Sequence, residues 1–264
     1  MAHKIFFDTN IIRNSEGTEH FLGGREQLER FRKVAEIMIP NIVITEIKNQ
    51  RRKHFRAKRD SFFDNPFFKL MGLNQDRLSD DKIEKWIEQL EEKEKIEYTK
   101  VSVKDREILP EIFELAINNQ APFEIESDRG FKDTLIYFTI LQFVEDNPSD
   151  QIYFICKDGR LGEAFEQHEK IKVFRNYDEY ERHQRDYFTD NYFIERLHEQ
   201  IVGMYGNEYE KLLQPSSLNP SCIKSIKLDK QLNWVLNVVI DELEFIVEID
   251  YISKEIISIL DLNF

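Results

Sequence analysis

Lys4-Ile5-Phe6-Phe7-Asp8-Thr9-Asn10 is the stretch that decides the reading of this chain. Residues 4 to 7 form a short, largely apolar run that stops at an acid followed by turn-forming polar residues. That is the pattern of a buried strand delivering a carboxylate to its C-terminal end. Downstream, Leu28, Phe31, Val34 and Ile37 recur at helical spacing. A second apolar run, Ile42-Val43-Ile44-Thr45, follows Pro40-Asn41 and leads into a helical stretch from Glu46. Strand, helix, strand, helix predicts an α/β domain with a mainly parallel central sheet covered by helices.

The pattern continues outward from there. A charge-rich helix is expected over residues 76 to 100, with Ile83, Trp86, Ile87 and Leu90 on one side, and another over 107 to 118. An apolar helix over 131 to 145 stops at Asn147-Pro148, and a third strand, Gln151 to Cys156, is closed by Lys157-Asp158-Gly159. Residues 171 to 174 read as a last short strand. Beyond about residue 182 a helical stretch, 187 to 213, precedes alternating segments near 222–229, 233–241, 243–252 and 255–262, the signature of an antiparallel meander. The expected organisation is an α/β domain over 1–182, with a helical insertion at about 62–104, and a smaller C-terminal α+β region over 183–264.

Composition bounds the function. With 41% hydrophobic and 12% aromatic residues the chain carries enough apolar material to fold throughout. A formal net charge of −13 argues against a protein that coats nucleic acid non-specifically, which draws on a basic surface. No segment approaches the roughly 18 consecutive apolar residues of a membrane span, and the start runs straight into a strand pattern. Cys156 and Cys222, each in an apolar setting, read as reduced thiols, so a cytoplasmic location is expected. The six His show no paired metal-ligand spacing and there is no Cys-x-x-Cys, which argues against zinc.

Four acids carry the chemistry: Asp8, Glu46, Asp133 and Asp158. Each alone is explained by an Asx turn, a helix first turn or an Asp-Gly turn. Together they mean more, because Asp8, Glu46 and Asp158 each fall at the end of a predicted parallel strand and Asp133 opens the apolar helix between them. Ligand sites in open α/β sheets lie at that edge. Carboxylates converging there repel one another unless a cation holds them, and oxygen-only ligands suit Mg²⁺ or Mn²⁺. Such an ion stabilises charge on a phosphate and acidifies water, the chemistry of phosphodiester hydrolysis.

The ordered set Phe-Asp8-Thr9-Asn10, Ile-Thr-Glu46, Lys-Asp133-Thr-Leu-Ile and Cys-Lys-Asp158 resembles the PIN-domain nucleases over roughly residues 4 to 175. By that resemblance Asp8, Glu46, Asp133 and Asp158 match the family's acidic metal-binding residues and Asn10 its small polar residue. The implied activity is metal-dependent cleavage of RNA, with a toxin or phage-defence role suggested by the resemblance alone. Two features set the chain apart from the compact toxin members: the insertion near 76–100, and Gly159-Arg160-Leu161 in place of an acidic-aromatic continuation.

Substrate contacts are expected from Asn10, from Lys132 and Lys157 beside the proposed ligands, and from Lys48–Arg59, which holds seven Lys or Arg and no acid. On a helix Lys48, Arg52, Arg56 and Arg59 form one stripe leading to Glu46. Asp128 and Arg129 are second-tier candidates, the first as a ligand and the second as a partner of an acid or phosphate. Phe62, Phe63, Phe67 and Phe68 around Pro66 read as a loop anchor rather than a base-stacking platform. The C-terminal region is expected to recruit a protein partner or second copy, or to select substrate. A haloacid-dehalogenase-type phosphatase is disfavoured because it needs an Asp where Asn10 stands, and no glycine-rich nucleotide loop follows the first strand. A flap-type or exonucleolytic enzyme acting on single-stranded DNA, and a non-catalytic binding module, remain the alternatives.

Overall fold

The computed structural model describes residues 3–13, 19–72, 78–104, 108–124, 129–206, 219–240 and 242–263. They fall into two compact units, His3–Tyr177 and the chain from Asp178 onward.

The first unit is built on a parallel sheet in the order β3-β2-β1-β4-β5, with β1 His3–Phe7, β2 Ala35–Pro40, β3 Thr99–Val101, β4 Ile152–Ile155 and β5 Ile171–Phe174. The chain grows from β1 through β2 to β3 on one side, then returns to the other side of β1 for β4 and β5. Crossovers therefore diverge at the carboxyl ends of β1 and β4, leaving a crevice where such sheets bind ligands. The central strands are apolar along their length because both faces are covered: Ile5, Phe6, Phe7 and Ile152 to Ile155 are all buried.

The helices of this unit are α1 (Thr9–Ile12), α2 (Arg25–Phe31), α3 (Asn41–Asp64), α4 (Pro66–Leu70), α5 (Asp80–Glu92), α6 (Leu109–Ile117), α7 (Phe131–Asp146) and α8 (Gly159–Ala164). One expectation is corrected here. Ile42–Thr45 is the opening of α3, and the second strand lies earlier, at Ala35–Pro40, so α2 stops at Phe31 and Ile37 belongs to the sheet. A short β-branched run fits a strand or a buried helix turn equally, and the spacing of buried Val43, Ile44 and Ile47 is that of a helix stripe. Glu46 thus stands in the second turn of a helix, not at a strand end.

On α5, Ile83, Ile87 and Leu90 are buried as expected, but Trp86 is 46% exposed and borders a cavity of about 380 Å³ with Phe55, Phe62 and Leu78. Of the four phenylalanines read as an anchor only Phe63 is buried; Phe62 stacks on Phe68 at 3.9 Å and Phe67 is exposed. β3, within the segment read as an insertion, pairs with β2 and so completes the sheet.

Gly130 fixes where α7 begins. It caps the helix at φ 115°, and a Cβ there would lie 2.7 Å from the Pro122 carbonyl oxygen and 2.8 Å from Phe123 Cα. Only glycine takes that conformation without strain. Gly130→Ala is expected to destabilise the unit by at least about 2 kcal/mol and to shift the first turn of α7; an unchanged melting temperature would contradict this account of the turn.

The second unit opens with α9 (Tyr177–Asp186), a 3₁₀ turn at Tyr187–Thr189 and α10 (Asn191–Tyr205). The single helix expected over 187–213 is therefore corrected: its first residues form the 3₁₀ turn, α10 ends at Tyr205 with Gly206 as its C-cap, and residues 207–213 lie outside the described residues. Strands β6 (Ile223–Leu228), β7 (Asn233–Ile240), β8 (Leu243–Asp250) and β9 (Ile256–Asp261) form the antiparallel meander. Strict alternation buries Trp234, Leu236, Val238 and Ile240 on one face of β7. The edge of β9 is guarded by Tyr205, whose hydroxyl donates to the Ile259 carbonyl and accepts from the Asp261 N–H. Among the described residues no helix is long and apolar enough to cross a membrane.

Candidate active site

Asp8 follows β1 directly. Its N–H donates to the Ile155 carbonyl at 3.0 Å, continuing the β1–β4 ladder by one bond, and its carboxylate caps α1 by accepting from the Asn10 N–H at 3.4 Å. The residue is only 2% exposed. Burial pushes its carboxyl up to about 6; the backbone N–H groups of Thr9 and Asn10 oppose this, and Asp158 adds to it.

Asp158 lies across the switch point, two residues beyond the end of β4-flanking Cys156. It caps α8, with Oδ1 accepting from the Leu161 N–H at 3.0 Å, and its side faces solvent. Asp133, half-buried in the first turn of α7, is also raised to about 6, first by burial and then by the charges of Asp8, Asp158 and Glu46, with Lys132 easing it. Capping and charge clustering thus coexist: the α8 cap engages Asp158 Oδ1, while the Asp8 carboxylate is held by the backbone of Thr9 and by the backbone and side chain of Asn10.

Glu46 is tethered differently. Oε2 accepts from Thr9 Oγ1 at 2.9 Å and Oε1 pairs with Lys132 Nζ at 3.0 Å. Thr9 is a contributor the sequence reading gave no role; its position between Asp8 and Asn10 is the only signal it carries. Beneath the acids, the buried thiol of Cys156 is held protonated by burial and by the charges of Asp8, Asp158 and Asp133.

The structure therefore brings Asp8, Asp158 and Glu46 within electrostatic reach of Asp133, and Asp158 within reach of Asp8. Among the described residues no three His, Cys, Asp or Glu stand close enough to clasp an ion as they are. Their chemistry nonetheless suits a hard divalent cation: oxygen donors only, and a nearly fully buried Asp8 and a half-buried Asp133 whose ionised forms lack an ion-pair partner among the described residues.

The basic stripe has another occupation. Lys48 pairs with Glu91 at 2.6 Å, Arg52 with Glu84, Arg56 with Asp80 at 2.8 Å, and Arg59 with Asp60 and with Asp80 at 2.7 Å. Four of the seven bases thus meet acids of α5 and form the seam between α3 and α5. Arg51 is buried and donates to the carbonyls of His20 and Phe21. Along α3 a groove of about 350 Å³ runs from Glu46 past Asn49, Lys53 and Lys132, with the seam residues Arg52 and Arg56 also in its lining. Asn10 and Lys157 are exposed beside the acids. Arg129, 81% exposed, reaches Glu124 at 4.0 Å, and Asp128 lies outside the described residues. Arg160, in the divergent Gly159-Arg160-Leu161, donates to the carbonyls of Asn119 and Phe123 and ties α8 to that loop.

A family model described as PIN domain matches residues 5–161, from β1 into α8 and so across all four acids. The chain belongs to the PIN domain family. Neither the curated proteins nor the solved structures contain a match to it. PIN domains are generally nucleases that act on nucleic acids, typically with divalent metals, and the first unit has that nuclease-type fold.

Proposed function

We propose that this PIN domain is a metal-dependent ribonuclease that hydrolyses phosphodiester bonds, with Asp8, Glu46, Asp133 and Asp158 as its metal-holding residues. The observation that carries the reading is the placement of Asp8 and Asp158 just beyond the carboxyl ends of the neighbouring strands β1 and β4, with Asp133, raised first by burial and then by the charges of the other three acids, in the first turn of α7. Mg²⁺ or Mn²⁺, when bound, would supply Lewis acidity to the phosphate and acidify a water.

The chain's own residues do the rest. Thr9 orients Glu46, while the α1 and α8 caps orient Asp8 and Asp158. Asn10 and Lys157 flank the acids, and the groove bearing Lys53 and Lys132, with Arg52 and Arg56 held in its wall by the acids of α5, receives the sugar–phosphate backbone leading to them. The groove is short and lies in an otherwise acidic protein, which favours a single strand engaged locally over a duplex coated along its length. In a cell such an activity would serve a toxin or phage-defence effector, and the second unit would recruit a partner or select substrate.

Matched RNA and DNA oligonucleotides, single- and double-stranded, incubated with the full chain and Mn²⁺ test the reading. Single-stranded RNA is expected to be cut and EDTA to stop the reaction. Preferential cutting of DNA would favour the flap or exonuclease alternative, and no cutting of any substrate would favour the binding module.

A further inference from the structure

The four acids stop short of a closed ligand set, and Glu46 is the one whose carboxylate already holds a cation among the described residues. Both of its oxygens are engaged, one by the Thr9 hydroxyl at 2.9 Å and the other by the Lys132 ammonium at 3.0 Å. Lys132 is also the immediate chain neighbour of Asp133, at the start of α7. Its side chain is 60% exposed and it lines the groove with Arg52, Lys53 and Arg56. A flexible ammonium at the junction of an acid cluster and an anion-binding groove can serve either.

We infer that Lys132 is a resident counter-ion which stands where a divalent cation would engage Glu46, and which is released to a substrate phosphate when that cation arrives. This rests on the proposed metal-dependent nuclease. Without the cation, Lys132 neutralises Glu46 and limits the mutual repulsion of the four acids. With it, Glu46 turns to the stronger charge and Lys132 is left free to pair with a phosphate in the groove. Metal and substrate then reinforce each other through one side chain. Lys132 is a positioning residue in the free protein and a phosphate contact in the complex.

The test measures Mn²⁺ binding to the full chain, by calorimetry and by the electron paramagnetic resonance signal of free Mn²⁺. Wild type, Lys132→Met, Lys132→Arg and Asp8→Asn are compared without RNA. A partly exposed ion pair competes weakly, so Lys132→Met is expected to bind Mn²⁺ about fivefold more tightly than wild type. The advantage should shrink at high salt, and Lys132→Arg should behave as wild type. With Mn²⁺ present, Lys132→Met should also bind a phosphorothioate RNA several-fold more weakly. Equal or weaker Mn²⁺ binding by Lys132→Met would overturn the counter-ion role, and unchanged RNA affinity would overturn the hand-over. Asp8→Asn separates the two readings: if Mn²⁺ binds with the same affinity to wild type and Asp8→Asn, the four-acid metal site itself has failed. Absence of Mn²⁺ binding to every variant would overturn both.

Discussion

Replacing Asp8 by Asn is expected to lower metal-dependent RNA cleavage by at least about a thousandfold while making the metal-free protein more stable. Asp8 is 2% exposed, and burial raises its carboxyl from 3.8 to about 6. Above that pH the folded protein carries an ionised carboxylate it solvates poorly. A shift of that size corresponds to at most about 3 kcal/mol, which an asparagine does not forfeit. Asn keeps an oxygen to accept from the Asn10 N–H, so the cap on α1 survives. Calorimetry at neutral pH should show a melting temperature higher by several degrees for Asp8→Asn, alongside the lost cleavage. A destabilised, inactive variant would instead mean that Asp8 serves the fold. A stable, active one would remove it from the chemistry.

The second large effect is on the pH dependence. Asp8 and Asp133 both have folded-state values near 6 against 3.8 unfolded, so between about pH 4 and pH 6 the folded state holds more protons. Their contribution to stability is therefore greatest in acid and declines as pH rises through 6, with the two protons leaving as a coupled pair. Glu91, Glu94 and Asp80, whose carboxyls are lowered by cationic partners and backbone donors, contribute in the opposite sense and lose stability on acidification. The measurement that isolates the site is the difference between wild type and Asp8→Asn/Asp133→Asn across pH 4 to 7. The wild type is expected to fall progressively behind as pH rises, and Mn²⁺ to restore it above pH 6, where the ligands have shed their protons. A pH-independent difference would contradict the charge coupling of these acids.

Much of this was readable in the sequence, for definite reasons. Strands β1 and β4 are uninterrupted apolar runs ending in an acid or a turn, and the alternation of β7 and β8 names its own buried face. β2 was not legible because Ala35–Pro40 follows a helix without a break in apolar spacing, while Ile42–Thr45 mimics a strand locally and is helical only because α3 packs Val43, Ile44 and Ile47 inward. The acids at β1, β4 and α7 could be placed from their elements; Glu46 reached the same site by way of a helix turn. The partners of the basic stripe were out of reach. A run of bases looks alike whether it meets phosphate or the acids of a helix some thirty residues on, and Lys48, Arg52, Arg56 and Arg59 found the latter. The hydroxyl of Thr9 and the ammonium of Lys132 on Glu46 likewise depend on side-chain placement that no spacing rule carries.

The central claim is that Asp8, Glu46, Asp133 and Asp158 share a divalent cation. Anomalous diffraction from crystals of the full chain grown with Mn²⁺ tests it most directly. The account predicts a manganese peak in the crevice between the ends of β1 and β4, within about 2.2 Å of carboxylate oxygens of Asp8 and at least one of Asp133 and Asp158, with Glu46 turned toward it. Saturating Mn²⁺ with no peak there, and Glu46 still paired with Lys132, would contradict it.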